Sequence, residues 1–317
     1  MASPYPFSST STVSGQVAAR SHTASPRFRI DREAIVGWAF IAPALLGFLV
    51  FYLLPTCRAL FISFTDWNLL RIPKLIGFAN YDKLLHDKNF WAAMWTTALY
   101  VVYNIPAQTV LGLLLAILLQ RLTKSVAVRS LFLVPYLLSN VIVAMLWFWM
   151  LDPVLGFGNA ILGWFGIHRI AFFNDQNLAL ITIAAVNTWR HTGFTALLFY
   201  TGLQSIPPDV YEAARIEGAK PWTIFRRITL PLLRPTIAFV LITSIIGSFQ
   251  IFDTVAVTTR GGPANSTQTI VWYIYQNAFS SSRMGYASAM SCVLFILLIL
   301  ISLIQMRVLR AGESDLK

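Results

Sequence analysis

Charge is what this chain is short of. Only 12% of its 317 residues are Asp, Glu, Lys or Arg, about half the share of a soluble domain. The deficit runs along the whole length, 56% of the residues are hydrophobic and the mean hydropathy is +0.64. Together these exclude an ordinary soluble globule and describe a polytopic membrane protein. Acids are the scarcer sign: 13 against 24 basic residues, a net charge of +11. The basic residues sit in short segments beside apolar runs, which points to topology and anionic lipid rather than nucleic acid. Cysteine is nearly absent. Cys57 and Cys292 both lie in apolar stretches with no CxxC pair or Cys/His cluster, so neither a disulfide framework nor a metal site is expected, and both read as packing thiols. Nucleotide chemistry has no motif: Thr123-Lys124-Ser125 lacks the glycines that would cradle phosphate. There is no His-Glu-x-x-His and no Gly-x-Ser-x-Gly, and the four histidines are scattered. The chain is expected to hydrolyse nothing itself and to carry no cofactor.

Residues 1–33 are rich in Ser, Thr and Pro and have no apolar core. They read as a disordered cytoplasmic tail rather than a secretory signal, with a transit peptide, which shares this composition, as the alternative. A bilayer span needs about 20 apolar residues. Six runs qualify: 34–57; 89–120, with room for an interfacial helix before the span; 130–151; 178–203, interrupted by Arg190; 236–257, carrying Asp253 near its end; and 284–306. Six spans put both termini on one side. With the termini inside, the inner segments hold 15 Lys and Arg and the outer ones 8, leaving Arg190 within a span. That balance places both termini in the cytoplasm. Trp38, Trp91, Trp95, Trp272 and Tyr273 fall near span ends, as interface anchors do. Pro43, Pro106 and Pro135 are expected to kink their helices.

This topology leaves residues 205–235 in the cytosol, and they are unusually charged. Pro207-Pro208-Asp209 reads as a helix restart, with Asp209 the expected N-cap. A short helix follows to Glu217, and Gly218 supplies the left-handed residue that ends it. Pro221 opens a second helix, and Pro231 and Pro235 return the chain to the membrane. Small residues (Ala213, Ala214, Ala219) beside Phe225 and Ile228 describe a surface offered to another protein. A solvated amphipathic loop is the plainer alternative.

Within the spans, ionisable groups are costly and usually face a cavity or a partner. Arg190 and Asp253 are the two candidates, either as part of a solute path or as a structural pair. A polar solute would be held by aromatic faces plus hydrogen-bonding side chains. Asn140, Asn187, Phe249 and Gln250 offer that mixture, as do Trp147, Trp149 and Trp189. The candidate solute path is therefore Asn140, Asn187, Arg190, Phe249, Gln250 and Asp253.

Glu212-Ala213-Ala214, three residues, Gly218, then Ile228-x-Leu230-Pro231 resembles the EAA loop of ABC importer permeases, with Glu217 where that family usually has Asp. Ala42-Pro43-Ala44-Leu45-Leu46-Gly47, Ser63-Phe64-Thr65-Asp66-Trp67, Phe252-Asp253-Thr254, Gly261-Gly262-Pro263, Thr267-Gln268-Thr269 and Gly285-Tyr286-Ala287-Ser288-Ala289 follow in family order. They are similar to carbohydrate-type permeases over about residues 35–308. The resemblance implies an all-α type I permease fold with six transmembrane helices. Its parts would be a tail at 1–33, a first helix and external loop at 34–91, a core at 92–308 and a cytoplasmic tail at 309–317. It implies a second permease subunit making a heterodimer, two cytoplasmic ATPases, an external solute-binding protein, and a place in the inner or plasma membrane. Glu212, Ala213, Ala214, Glu217, Gly218 and Ala219 would contact an ATPase. The expected cargo is a sugar or oligosaccharide, with a non-sugar solute such as glycerol phosphate as the alternative. Two other classes stay open: an ion-coupled secondary transporter, which the charged loop and the few intramembrane acids disfavour, and a membrane enzyme, for which no acid cluster or metal site is seen.

Overall fold

The computed structural model describes residues 32–122 and 125–309; the expected tails lie almost wholly outside them. The chain divides into two compact units, residues 1–55 and 56–317. All the named elements are helical, as the apolar runs require.

Among the described residues, four helical runs are long and apolar enough to cross a membrane: Ile35–Ile62, Lys88–Leu122, Arg234–Thr258 and Met284–Leu309. The first comprises α1 (Arg32–Phe48), a π turn at Leu49–Leu53 and α2 (Leu54–Ile62). The Leu54 N–H reaches back five residues to the Leu49 carbonyl, directly before Pro55, which has no N–H to give. A second π turn, Phe225–Thr229, precedes Pro231 in the same way.

After the short helix α3 (Ala79–His86), α4 (Lys88–Leu122) runs for 35 residues without a break at Pro106. At 1.5 Å per residue it is about 50 Å long, so the expected interfacial helix is simply its N-terminal end, continuous with the rest of the helix. Asp87 caps it. Its Oδ1 accepts the Asn89 and Phe90 N–H groups at 2.9 and 3.3 Å. Its Oδ2 accepts the Tyr273 and Tyr286 hydroxyls at 2.8 and 2.6 Å. Burial pushes this carboxyl up, but those four donors outweigh it and hold it below its ordinary value. Burial, with Asp87 beside it, pushes the Tyr273 phenol up to about 12.

Residues 126–150 depart from the expected third span. In place of one helix stand α5 (Val126–Leu131), α6 (Val134–Leu137) and α7 (Asn140–Met150). Pro135 cannot donate to the Leu131 carbonyl, which ends α5. Leu138 and Ser139 are extended, with ψ 148° and 140°, which ends α6. Within α8 (Phe157–Trp164), Asn159 ties the flanking loops by bonding the Asp152 and Ile170 carbonyls and accepting the Ile170 N–H.

The fourth run is one helix, α9 (Ala179–Gln204); Arg190 does not interrupt it. The 205–235 segment contributes α10 (Pro208–Ile216), α11 (Pro221–Ile224) and α12 (Leu230–Leu232). The fifth run is broken: α13 (Arg234–Phe249) stops, Gln250 and Ile251 turn through three-residue bonds to the Gly247 and Ser248 carbonyls, and α14 (Asp253–Thr258) resumes. The Thr269 hydroxyl donates to the freed Ile251 carbonyl at 3.4 Å. Then come α15 (Ile270–Tyr275) and α16 (Met284–Leu309).

Helices α4 and α9 form the most extensive pair. Gly112 permits it: a Cβ there would lie 2.6 Å from Thr195 Cγ2. Apolar packing falls into three clusters. One centres on Phe90, Ile270 and Met290, one on Tyr100, Ile183 and Val255, and one on Ala116, Phe199, Leu233 and Val240. Polar pairs join the same helices. Asn104 Nδ2 donates to Thr188 Oγ1 at 2.9 Å, and its Oδ1 accepts from Ser248 Oγ at 3.1 Å. Gln108 Nε2 donates to Thr195 Oγ1 at 2.8 Å and Ser244 Oγ at 3.2 Å. These bonds pair polar side chains between the helices.

Candidate functional site

Where the two broken segments face each other, a cavity of about 390 Å³ opens against α4 and α9. Asn140, at the start of α7, donates to Asp253 Oδ2 at 2.8 Å across it. Asn187 and Thr254 exchange hydroxyl and amide contacts at 3.2–3.3 Å. Gln250, in the second break, is exposed to the cavity. So four of the six expected path residues, Asn140, Asn187, Gln250 and Asp253, meet around one space. The lining also carries Asn104, Gln108, Tyr136, His191, Ser244 and Ser248, none of which the sequence reading singled out. The signal was there: Asn104 and Gln108, like Ser244 and Ser248, are polar pairs four apart in apolar runs and so share a helix face.

Two expected path residues are placed elsewhere. Phe249 is buried, 8% exposed, in the cluster around Phe90 and Met290; one residue along a helix is about 100° around it, so Gln250 and Phe249 face apart. Arg190 does not line the cavity. Its Nη2 donates to the Tyr136 and Leu138 carbonyls at 3.0 and 2.9 Å. Its Nη1 lies 3.1 Å from His191 Nε2, whose ring bonds the Asn187 carbonyl through Nδ1 at 2.9 Å. Arg190 and Asp253 therefore do not form a direct pair. The expected tryptophans also lie apart. Trp147 and Trp189 pack edge to face at 5.3 Å beside a separate apolar cavity, and Trp149 is 65% exposed.

The 205–235 loop is a second candidate surface. Pro207, not Asp209, occupies the N-cap position of α10, with Pro208 and Asp209 in the first turn. Asp209 still places negative charge at the positive end of the helix. At the other end Gly218 takes φ +77°. The Ala219 N–H bonds the Ala214 carbonyl and the Gly218 N–H the Arg215 carbonyl, both at 3.0 Å, which is a Schellman closure. Ala214 is the buried residue of α10, so its side chain is not on the exposed surface. Glu212, Ala213, Glu217 and Gly218 are exposed and Ala219 is half-buried. The apolar groups that stand out are Ile216 and Trp222, 88% and 68% exposed. Phe225 and Ile228, expected as anchors, are half-buried, with Phe225 packed 5.6 Å from the Trp222 ring.

Residues 108–312 match the family described as the binding-protein-dependent transport system inner membrane component. The chain is 34% identical over 304 residues to the sulfoquinovosyl glycerol transport system permease protein SmoG of Agrobacterium fabrum, covering 90% of this chain and 98% of that one. It is 32% identical over 279 residues to the trehalose/maltose transport system permease protein MalF of Thermococcus litoralis, covering 87% and 94%. Its fold is similar to a chain in the crystal structure of a bacterial alginate ABC transporter in complex with alginate pentasaccharide-bound periplasmic protein. The TM-score there is 0.77 at 23% identity, over 89% of this chain and 97% of that one.

Proposed function

The chain belongs to the family of inner membrane components of binding-protein-dependent transport systems, and on that premise we propose that it forms half of the pathway by which an ATP-driven importer takes up a sugar or oligosaccharide. It is a multi-pass protein of the inner or plasma membrane, and ATP hydrolysis belongs to separate subunits rather than to this chain. In this reading six segments cross the bilayer. The interrupted 126–150 and 234–258 runs are the third and fifth, both termini are cytoplasmic, and residues 92–308 form the core. A second permease subunit completes the pathway. The exposed face of α10 and its C-cap, with Glu212 and Glu217, seats in a groove of one of two ATPases. An external binding protein delivers solute, and ATP-driven closure of the ATPases moves the spans between outward and inward access.

One observation carries the reading: Asn140, Asn187, Gln250 and Asp253, far apart in sequence, converge on one polar cavity between two broken helices. Amides, hydroxyls and a carboxylate are the groups that hydrogen-bond sugar hydroxyls. Among the described lining residues there is no Lys or Arg, which favours hydroxylated solutes over glycerol phosphate. The names of the relatives, trehalose/maltose and sulfoquinovosyl glycerol, support a carbohydrate. The test is uptake of radiolabelled maltose, lactose and glycerol 3-phosphate by proteoliposomes holding the whole complex and its binding protein. Asn140→Ala and Gln250→Ala, at normal accumulation, should each lower uptake of the transported sugar. Unchanged uptake in both variants would remove this cavity from the pathway.

A further inference from the structure

Arg190, Gly193 and Phe194 share one face of α9 at i, i+3 and i+4, and all three engage the same interrupted backbone. Arg190 donates to the Tyr136 and Leu138 carbonyls. Gly193 lets that backbone approach so closely that a Cβ would lie 1.7 Å from the Phe132 oxygen. Phe194 stacks on Tyr136 at 4.4 Å with the rings 9° from parallel. The guanidinium also sits 5.3 Å from the Tyr136 ring centroid. The break at 138–139 leaves carbonyls without helical donors, and in an apolar setting such groups need partners. A guanidinium at the end of a helical turn meets both the free oxygens and their partial negative charge. Two residues beyond Leu138, Asn140 begins α7 and reaches Asp253.

We infer that Arg190 is a positioning residue: by holding the carbonyls of Tyr136 and Leu138 it fixes the broken segment, and through it sets Asn140 against Asp253 at the edge of the solute cavity. Its hydrogen bonds go to backbone carbonyls and to His191, so it acts on the solute through the groups it places. The inference rests on the reading of this cavity as the solute path, but its geometric core is tested without any solute.

The test is disulfide cross-linking of an Asn140→Cys, Asp253→Cys pair in the intact complex, with Cys57 and Cys292 replaced by serine. A control pair is Thr97→Cys with Ile270→Cys, a separate contact in which Thr97 Oγ1 accepts the Ile270 N–H at 2.8 Å. Arg190→Gln should slow copper-phenanthroline cross-linking of the first pair by about fivefold or more while leaving the control pair unchanged, and Arg190→Lys, which keeps a charged donor, should recover part of the rate. An unchanged first pair overturns the inference. So does an equal loss in both pairs, which would make Arg190 a general support of the fold. In maltose or lactose uptake, Arg190→Gln should cost much less in an Asn140→Ala background than in the wild type, because both changes act on the same contact. Additive losses would overturn the inference and leave the cavity reading standing. Failure of the cavity reading shows separately, as unchanged uptake in both Asn140→Ala and Gln250→Ala.

Discussion

Replacing Gly193 by alanine adds one methyl group where α9 meets the Phe132 carbonyl. The new Cβ would lie 1.7 Å from that oxygen, whereas contacts become tolerable only beyond 3.0 Å. The 132–138 backbone must therefore retreat by about 1.5 Å, enough to stretch the Arg190 bonds at 3.0 and 2.9 Å past hydrogen-bonding range. Forced overpacking costs about 1–3 kcal/mol, and loss of a bond to a charged donor about 1.5–3 kcal/mol. Alanine returns about 1 kcal/mol of helix propensity. The net expectation is a loss of about 1.5–5 kcal/mol, or roughly 3–20 °C in apparent melting temperature at about 2–4 °C per kcal/mol. Gly163→Ala, in α8 with nothing within 4 Å of its Cβ, is the control and should be neutral or slightly stabilising. Thermal unfolding of the purified protein in mild detergent measures both. If Gly193→Ala melts with Gly163→Ala, α9 does not hold the broken segment in the way described.

Three other outcomes are expected. Asp87→Asn removes a carboxylate whose folded value is depressed. The stability it adds is complete above the ordinary carboxylate range and disappears as pH falls through the depressed value. Melting curves of wild type and Asp87→Asn should therefore stay a constant distance apart from about pH 6 to 8 and converge toward pH 3; a gap independent of pH contradicts this. Gly218→Ala forces a side chain into φ +77° at a cost of about 1 kcal/mol. It should loosen the end of α10 and lower ATP hydrolysis stimulated by the binding protein, with little change in melting; wild-type stimulation would count against the Schellman closure shaping this surface. Asn104→Leu removes bonds to Thr188, Ala184 and Ser248. At about 0.6 kcal/mol per interhelical bond in a bilayer the loss is about 2 kcal/mol, read by denaturation in mixed micelles, and no loss would show the polar pairs to be incidental.

The sequence made the continuous helices legible because a long apolar run has one solution in lipid. The 88–122 and 284–309 segments and the left-handed Gly218 were read in place. The interruptions were less legible. Pro135 marked one of them, but the break at Leu138 and Ser139 contains no proline or glycine. It persists through Arg190, which lies about 50 residues away and is visible only once the chain is folded. Gln250 and Ile251 are similar, their freed carbonyl taken by Thr269. The candidate path suffered from the same blindness to direction. Asn140, Asn187, Gln250 and Asp253 were chosen by residue type and converge, while Phe249, chosen with them, turns into the core. In the loop, Glu212 and Gly218 were named from the resemblance to the EAA motif, and both are exposed. Ile216 and Trp222 were passed over because exposure of an apolar side chain cannot be read from its identity.

The central claim is that this chain needs an external engine and an external delivery protein. The most direct measurement is sugar uptake by proteoliposomes containing the chain with its second permease and ATPase subunits, with ATP, binding protein and ion gradients supplied or withheld one at a time. The account predicts that uptake requires ATP and the binding protein together, is indifferent to proton or sodium gradients, and is lost with Glu212→Lys. Uptake driven by an ion gradient with no ATPase present would contradict it.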